Sequence, residues 1–395
     1  MTQQLLYFLF IRFFLSFGNK YLYMSKRRLI DSNRILRLET TKKADPEILS
    51  HIKSTVLGTP GRLRYKLKKI EEKLDHINEI DFIVLTRRGK VLGSVGLIRR
   101  TARAGGKQIK CWYVRYFSIK APMRSGKQKH ENFRNTERGG NIIREAVLPY
   151  ASQPSKLAED FDPDEKTLVY AYVESDNIRS LNFSEQMNAV TTRKYKTFIF
   201  SRIFLRNSMK IRQLKPEEKR GMLWKIQEFY HEYKLFTDEN LFLNDNYFVL
   251  EEKGKIVAGA QVHREAWKVL EMKGKLSKIM LKALPRLPIA RNFFNPDDFH
   301  FLALEGIWYD KTRQKSLDTL FEGICHHFNT HFILTWADTE SGLAKTLEEN
   351  LDYGAIGRFF EQNEVDVRLT FNNFTEEEKR EFFENPVYVS AYDMV

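Results

Sequence analysis

Leu168-Val-Tyr-Ala-Tyr-Val-Glu-Ser-Asp-Asn-Ile-Arg-Ser-Leu-Asn-Phe-Ser-Glu-Gln-Met-Asn-Ala189 changes its period halfway along. Its first six residues are apolar and β-prone, the pattern of a buried strand. Glu174-Ser-Asp-Asn177 then reads as a polar turn, after which Ser180, Phe183 and Met187 recur on one face of a helix. A strand ending in a polar turn that feeds a helix brings side chains and free backbone N–H groups to the carboxyl edge of a sheet. Open α/β folds bind ligands at such edges.

Upstream, Phe82-Ile-Val-Leu85, the turn Arg87-Arg-Gly-Lys90 and Val91 to Ile98 read as a β-hairpin whose glycine supplies a positive φ. The hairpin recurs: Phe248 to Ala260 aligns with Ile83 to Val95, with Gly254 minus Gly89 giving 165. Glu174 in YVES and Asp338 in WADT repeat at 164, and Trp112–Ile119 corresponds to Phe301–Trp308. A period this long marks a duplicated domain rather than a solenoid. Each copy reads helix–helix–hairpin–strand–helix–strand–helix–strands. In the first copy Asp45 caps a helix opened by Pro46, Thr59-Pro-Gly61 breaks it, and a second, basic helix is expected over Leu63 to Ile77. The second copy carries an insertion at 267–297, expected to be a helical cover. Thr375-Glu-Glu-Glu-Lys has the form of a capped surface helix.

At 395 residues the chain accommodates two domains. Residues 1–200 hold 38 Lys+Arg against 20 Asp+Glu and residues 201–395 hold 27 against 31, so +18 and −4 sum to the overall +14. A basic half fits a polyanion, either a phosphate-bearing cofactor or RNA, or is a solvated basic surface. Cys111 and Cys325 lie in apolar surroundings, which suggests reduced thiols, a cytoplasmic setting, and neither disulfide framework nor zinc site. Residues 1–23 are too short and interrupted to span a membrane and lack the form of a signal peptide. They read as an over-extended or disordered leader with Met24 as initiator, which the intact mass of the natively expressed protein would decide.

Asn177, Ser180, Phe183 and Ser184 fall at the spacing of the N-x-x-(A/S)-x-x-(L/F)-Y…G-F signature of the GNAT acetyltransferase superfamily, which the chain resembles over about Arg34 to Asn373. Ser184 stands at the family tyrosine, and Asn188-Ala189 at its Gly-Phe. The resemblance implies two tandem GNAT-like acyl-CoA N-acyltransferase domains, 24–205 and 206–395, of α/β class on a mixed (α+β) sheet. It implies acetyl-CoA or another acyl-CoA as co-substrate, held in the first copy. The family's bulged strand falls on Trp112–Ile119, so Phe117, Ser118 and Ile119 would hold the pantetheine arm. The family's pyrophosphate turn falls on Thr136-Glu-Arg-Gly-Gly-Asn141, giving Arg134, Arg138, Gly139, Gly140 and Asn141 as phosphate-binding residues. Free N–H groups at a helix N-terminus favour phosphate, and glycine permits close approach. Asn177 and Ser180 complete the cofactor set. The second copy has no glycine between Asp310 and its helix, so it is expected not to hold CoA in the family manner.

Acyl transfer to an amine needs a base, an oxyanion donor and an acid for the thiolate. Glu174 is the candidate base, or else a carboxylate that only stabilises its turn. Ser184 stands at the acid's position but is a poorer acid, so either Tyr172 or Tyr116 substitutes or the thiolate leaves unassisted. Glu305, Asp310, Trp336 and Asp338 line the equivalent edge of copy two and are candidate acceptor-site residues. His326, His327 and His331 read as a helix C-terminus rather than a metal site. The leading expectation is an acyl-CoA-dependent N-acyltransferase acting on a small-molecule or peptide amine. An RNA- or tRNA-using protein, with Tyr113, Tyr116 and Phe133 among basic residues, and a catalytically inactive scaffold are the alternatives.

Overall fold

A computed structural model describes residues 27–32, 36–104, 107–119, 147–158, 161–206, 210–274, 277, 279–287, 291, 293–357 and 364–395. Fourteen strands form one mixed sheet. They are β1 (Arg28–Ser32), β2 (Leu36–Thr41), β3 (Arg64–Leu67), β4 (Ile80–Arg87), β5 (Lys90–Ala104), β6 (Lys107–Ile119) and β7 (Thr167–Glu174). The rest are β8 (Val190–Ser201), β9 (Ile211–Gln213), β10 (Tyr247–Glu252), β11 (Lys255–Glu271), β12 (Phe299–Tyr309), β13 (Phe332–Asp338) and β14 (Glu364–Asn372). The strands lie in the order β1-β2-β4-β5-β6-β7-β14-β8-β13-β12-β11-β10-β9, with β3 paired to β11.

The duplication is visible in that order. Read inward from either side, β4-β5-β6-β7 mirrors β10-β11-β12-β13, and β14 mirrors β8 across the middle. The halves exchange strands. After β7 the chain runs into β8, which pairs with β13, and after β13 it runs into β14, which pairs with β7. Both hairpins turn through two consecutive residues of positive φ, Arg88-Gly89 at 51° and 76° and Lys253-Gly254 at 51° and 72°. That geometry matches the twist of the flanking strands and needs glycine at one of the two sites.

Asp45 caps the helix Pro46–Ser54, accepting from the Glu47 and Ile48 N–H groups, and Thr375 caps Glu376–Glu384 in a capping box. The second expected helix is shorter than its charge pattern suggested. Arg64–Leu67 is strand β3 and only Ile70–His76 is helical. Alternation over Arg64-Tyr-Lys-Leu fits either period, and pairing with β11 decides it. That pairing uses Trp267 to Glu271, so the insertion begins as strand rather than as a helical cover. Residues 1–26, which include the expected leader, lie outside the described residues. Among the described residues no helix is long and apolar enough to cross a membrane.

Candidate functional site

β6 and β7 pair in parallel from Lys110 and Thr167 to Tyr113 and Tyr170, and the ladder stops there. Both strands continue, so their carboxyl ends separate into a cleft. On its other edge β6 stays paired with β5 through a bulge: Ser94 faces Ser118 and Gly96 faces Arg115, leaving Tyr116 and Phe117 opposite Val95. Tyr116 has φ 55°, a conformation strained for a bulky side chain. Gly96 makes room for it, since a Cβ there would come within 3.0 Å of the Tyr116 ring. The family's expected strand bulge is therefore present in the first half.

The cleft opens on a cavity of about 1020 Å³. Phe117, Ser118, Tyr172, Glu174, Asn177 and Ser180 all line it, so the structure gathers six of the expected site residues around one space. Asn177 caps the helix Ile178–Gln186 by accepting from the Ser180 N–H at 3.2 Å, which turns that helix N-terminus to the cavity edge. Phe117 stacks on Phe183 at 4.3 Å. Ser118 is anchored from outside, its hydroxyl accepting from Thr55 at 3.1 Å and its carbonyl lying 3.3 Å from His51 Nε2. The Thr59 hydroxyl donates to Glu174, and Arg62 pairs with Asp176. The segment between the helix Pro46–Ser54 and β3 is thereby tied across the β7 turn. Tyr172 packs among Tyr113, Tyr170 and Tyr195, and burial pushes its hydroxyl well above the usual tyrosine range.

Ser184 is placed elsewhere. It is buried and its hydroxyl donates to the Leu181 carbonyl at 2.8 Å, and it is not among the cavity-lining residues. Asn188, at the family's glycine position, takes φ 58°, a left-handed conformation that asparagine tolerates. Ile119 ends β6. Arg134, Arg138, Gly139, Gly140, Asn141 and Phe133 lie outside the described residues. Tyr113 and Tyr116 are buried in the main core, 6% and 5% exposed, and so do not stand on the surface as the stacking platforms that the RNA expectation would need.

The second half repeats the cleft but fills it. β12 and β13 pair from Leu302 and Ile333 to Leu304 and Thr335, then separate. A bulge at Gly306, φ 57°, matches Tyr116 at an offset of 190 (306 minus 116), one residue beyond the alignment expected from sequence. Into this cleft runs the segment Val387 to Val389, leaving about 10 Å³. The Gly306 N–H donates to the Tyr388 hydroxyl at 3.1 Å, and Tyr388 packs on Tyr230 and Phe236. Of the candidate acceptor-site residues there, Glu305 is buried between His263 (2.8 Å) and Ser390 (2.5 Å), and Asp338 is fully buried in a two-point pair with Arg193. Asp310 caps a turn through Thr312. Trp336 alone of the four reaches the large cavity. Among the described residues no cluster of His, Cys, Asp or Glu could hold a metal ion.

Sequence reasoning missed the last ten residues. Asp393 and Met394 line the large cavity, and Asp393 pairs with Arg100 at 2.7 Å while accepting from Tyr170 at 3.1 Å. Arg115 reaches the main-chain oxygens of Asp393 and Val395, and Lys73 also binds Val395. The signal available was the apolar run Val387-Tyr-Val389, too short to stand out from a surface tail.

No protein-family model matches the sequence, and no curated protein is detectably similar to it. Solved structures do match. Saccharomyces cerevisiae N-myristoyltransferase with bound myristoyl-CoA superposes with a TM-score of 0.52 at 10% identity, covering 88% of this chain and 86% of that one. A second structure of that protein gives 0.50 at 11%, covering 94% and 91%. A GCN5-related N-acetyltransferase from Anabaena variabilis gives 0.43 at 9%, covering 84% and 72%. The chain has a duplicated GNAT-like fold on one mixed sheet. N-myristoyltransferase structures follow the chain along nearly its whole length, and at these identities the likeness is one of fold.

Proposed function

We propose that the chain is an acyl-CoA-dependent N-acyltransferase, in the simplest case an N-acetyltransferase, with its donor in the cleft of the first half, 24–205. The observation that carries this reading is the parting of β6 from β7 beside the Tyr116 bulge, at the edge of a large cavity and next to a helix N-terminus. Strand edges released by such a parting offer N–H groups to an extended arm, and the helix end favours anionic charge. Fold neighbours that bind myristoyl-CoA support an acyl-CoA donor in general. The half 206–395 supplies a wall of the cavity, its own cleft being taken by Val387 to Val389.

Within this site Glu174 takes the proton from the acceptor ammonium. Tyr172 lines the same cavity and, like any tyrosine, is protonated at neutral pH, so it is the candidate to return a proton to the leaving thiolate in place of the inward-turned Ser184; burial raises its hydroxyl and makes it a weaker acid than an exposed tyrosine. Backbone N–H groups at the bulge are the candidates for steadying the oxyanion. Calorimetric titration with acetyl-CoA and myristoyl-CoA, at low and moderate salt, tests the donor site. One-to-one binding that survives salt and weakens in Arg138→Ala with Gly139→Val supports it. Heat that vanishes with salt, or no heat, overturns it.

A further inference from the structure

The large cavity has an apolar floor that extends away from the donor cleft. Across antiparallel strands, directly opposed residues share a face. Glu174 opposes Val365, Val365 opposes Tyr195, and, further along β8, Thr197 and Ile199 oppose Trp336 and Leu334. These residues all line the cavity. They form one strip over β7, β14, β8 and β13, three strand spacings or about 14 Å across. Glu174 stands at one end of the strip, and the other six members, Val365, Tyr195, Thr197, Ile199, Trp336 and Leu334, carry no charge, while Arg64, Arg115, Lys273 and Asp393 line other parts of the cavity. Tyr195 turns its hydroxyl to the Met394 sulfur at 3.3 Å. One wall is Trp267 stacked on Tyr65 at 4.0 Å.

We propose that this strip is the acceptor subsite and takes a primary amine on an unbranched apolar body, an alkylamine in chemical class, with its nitrogen at Glu174. The proposal rests on the acyltransferase reading above. A strongly polar or charged body laid on this strip would lose more water than the Thr197 hydroxyl could replace. Each methylene buried there strengthens binding about fourfold. The carboxylate at the near end complements an ammonium, which favours an amine over an acyl chain as the occupant. In the transfer, the amine nitrogen bonds to the thioester carbon as the carbon–sulfur bond breaks. One ammonium proton passes to Glu174 and a second ends on sulfur, releasing an amide and the CoA thiol.

Trp336 lies in the strip, so its fluorescence reports occupancy. The full chain would be titrated with butylamine, hexylamine and octylamine, with spermidine and triglycine as polar counterparts, and acyl-CoA binding followed separately by calorimetry. We expect a saturable change that is smaller in Trp336→Phe, where Trp267 on the wall remains, with affinity rising about fourfold per methylene. Ile199→Ser weakens octylamine about tenfold and Thr197→Leu strengthens it, so loss of folding in one variant leaves the other to decide. Spermidine or triglycine binding as tightly as octylamine overturns the proposal while acyl-CoA binding leaves the donor reading intact. Octanoyl-CoA that excludes octylamine where acetyl-CoA does not assigns the strip to the acyl chain and also overturns it. Failure of every acyl-CoA to bind overturns both.

Discussion

Gly306 donates its backbone N–H to the Tyr388 hydroxyl at 3.1 Å, while its counterpart Tyr116 borders a cavity of about 1020 Å³. Two equivalent bulges thus meet different fates. One is sealed by Tyr388 of the segment Val387 to Val389, and the other borders open space.

Tyr388→Phe should leave the buried Gly306 N–H without a partner and cost about 1–3 kcal/mol. The shift would be read from denaturant midpoints, with acyl-CoA affinity unchanged. A parallel effect on both quantities would contradict the view that the second cleft is purely structural.

Arg100 and Asp393 form a buried pair that ties the last residues to β5. Arg100→Leu strands the aspartate and should cost about 3–5 kcal/mol, whereas Arg100→Leu with Asp393→Leu should recover most of that. Urea denaturation of both variants measures the difference; equal losses would argue that packing rather than charge is at stake.

Burial pushes the Glu305 carboxyl up, but His263, the Ser390 hydroxyl and the Tyr392 N–H outweigh it and hold the group below the usual glutamate range. The folded protein therefore binds this proton less readily than the unfolded chain. The resulting stability is present above the unfolded value of about 4.3 and is lost as pH falls through the lower folded value. Thermal unfolding of Glu305→Gln from pH 7 to pH 3 should show a flatter acid limb than wild type. An unchanged limb would mean that other carboxylates dominate acid unfolding.

Glu174→Gln keeps the contact with Thr59 possible but removes the proposed base, and should lower kcat by about 10²- to 10⁴-fold with little change in melting temperature. Tyr172→Phe should lower kcat without moving donor affinity. Thiol release on single turnover checks both. Full activity in Glu174→Gln would reduce that carboxylate to a turn-stabilising role.

Asn177→Ala removes the cap of the helix Ile178–Gln186 and should cost about 1 kcal/mol of stability while weakening acyl-CoA binding. Asn177→Asp, which can still cap, should restore stability. If capping is the whole role of Asn177, donor affinity will follow stability in both variants.

Part of the lining of the large cavity was legible because it is local. The run Leu168 to Ala189 carries a strand, a turn, an N-cap and a helix within 22 residues, and Asn177, Ser180, Phe183 and Glu174 all stand where that reading puts them. The basic stretch after Leu63 was misread because four alternating residues cannot distinguish a strand from a helix turn without knowing that β11 lies beside them. Ser184 was placed on the right helix, but its buried hydroxyl bonds back to the preceding turn, a choice made by packing.

Local periodicity and the two Gly-bearing hairpins by themselves determined the duplication, the strand–helix order and the mixed α/β character of the chain. Only the tertiary structure decided which half each late strand completes. A strand's alternation says that one face is buried, not which neighbour buries it, so β8 and β14 are equally legible in their own halves or exchanged. Long-range partners set the outcome: Arg193 on β8 grips Asp338 on β13 through two 2.9 Å bonds, across 145 residues of chain. By the same physics the final segment closes one cleft and borders the other. Burial pays for its order only once both halves are in place.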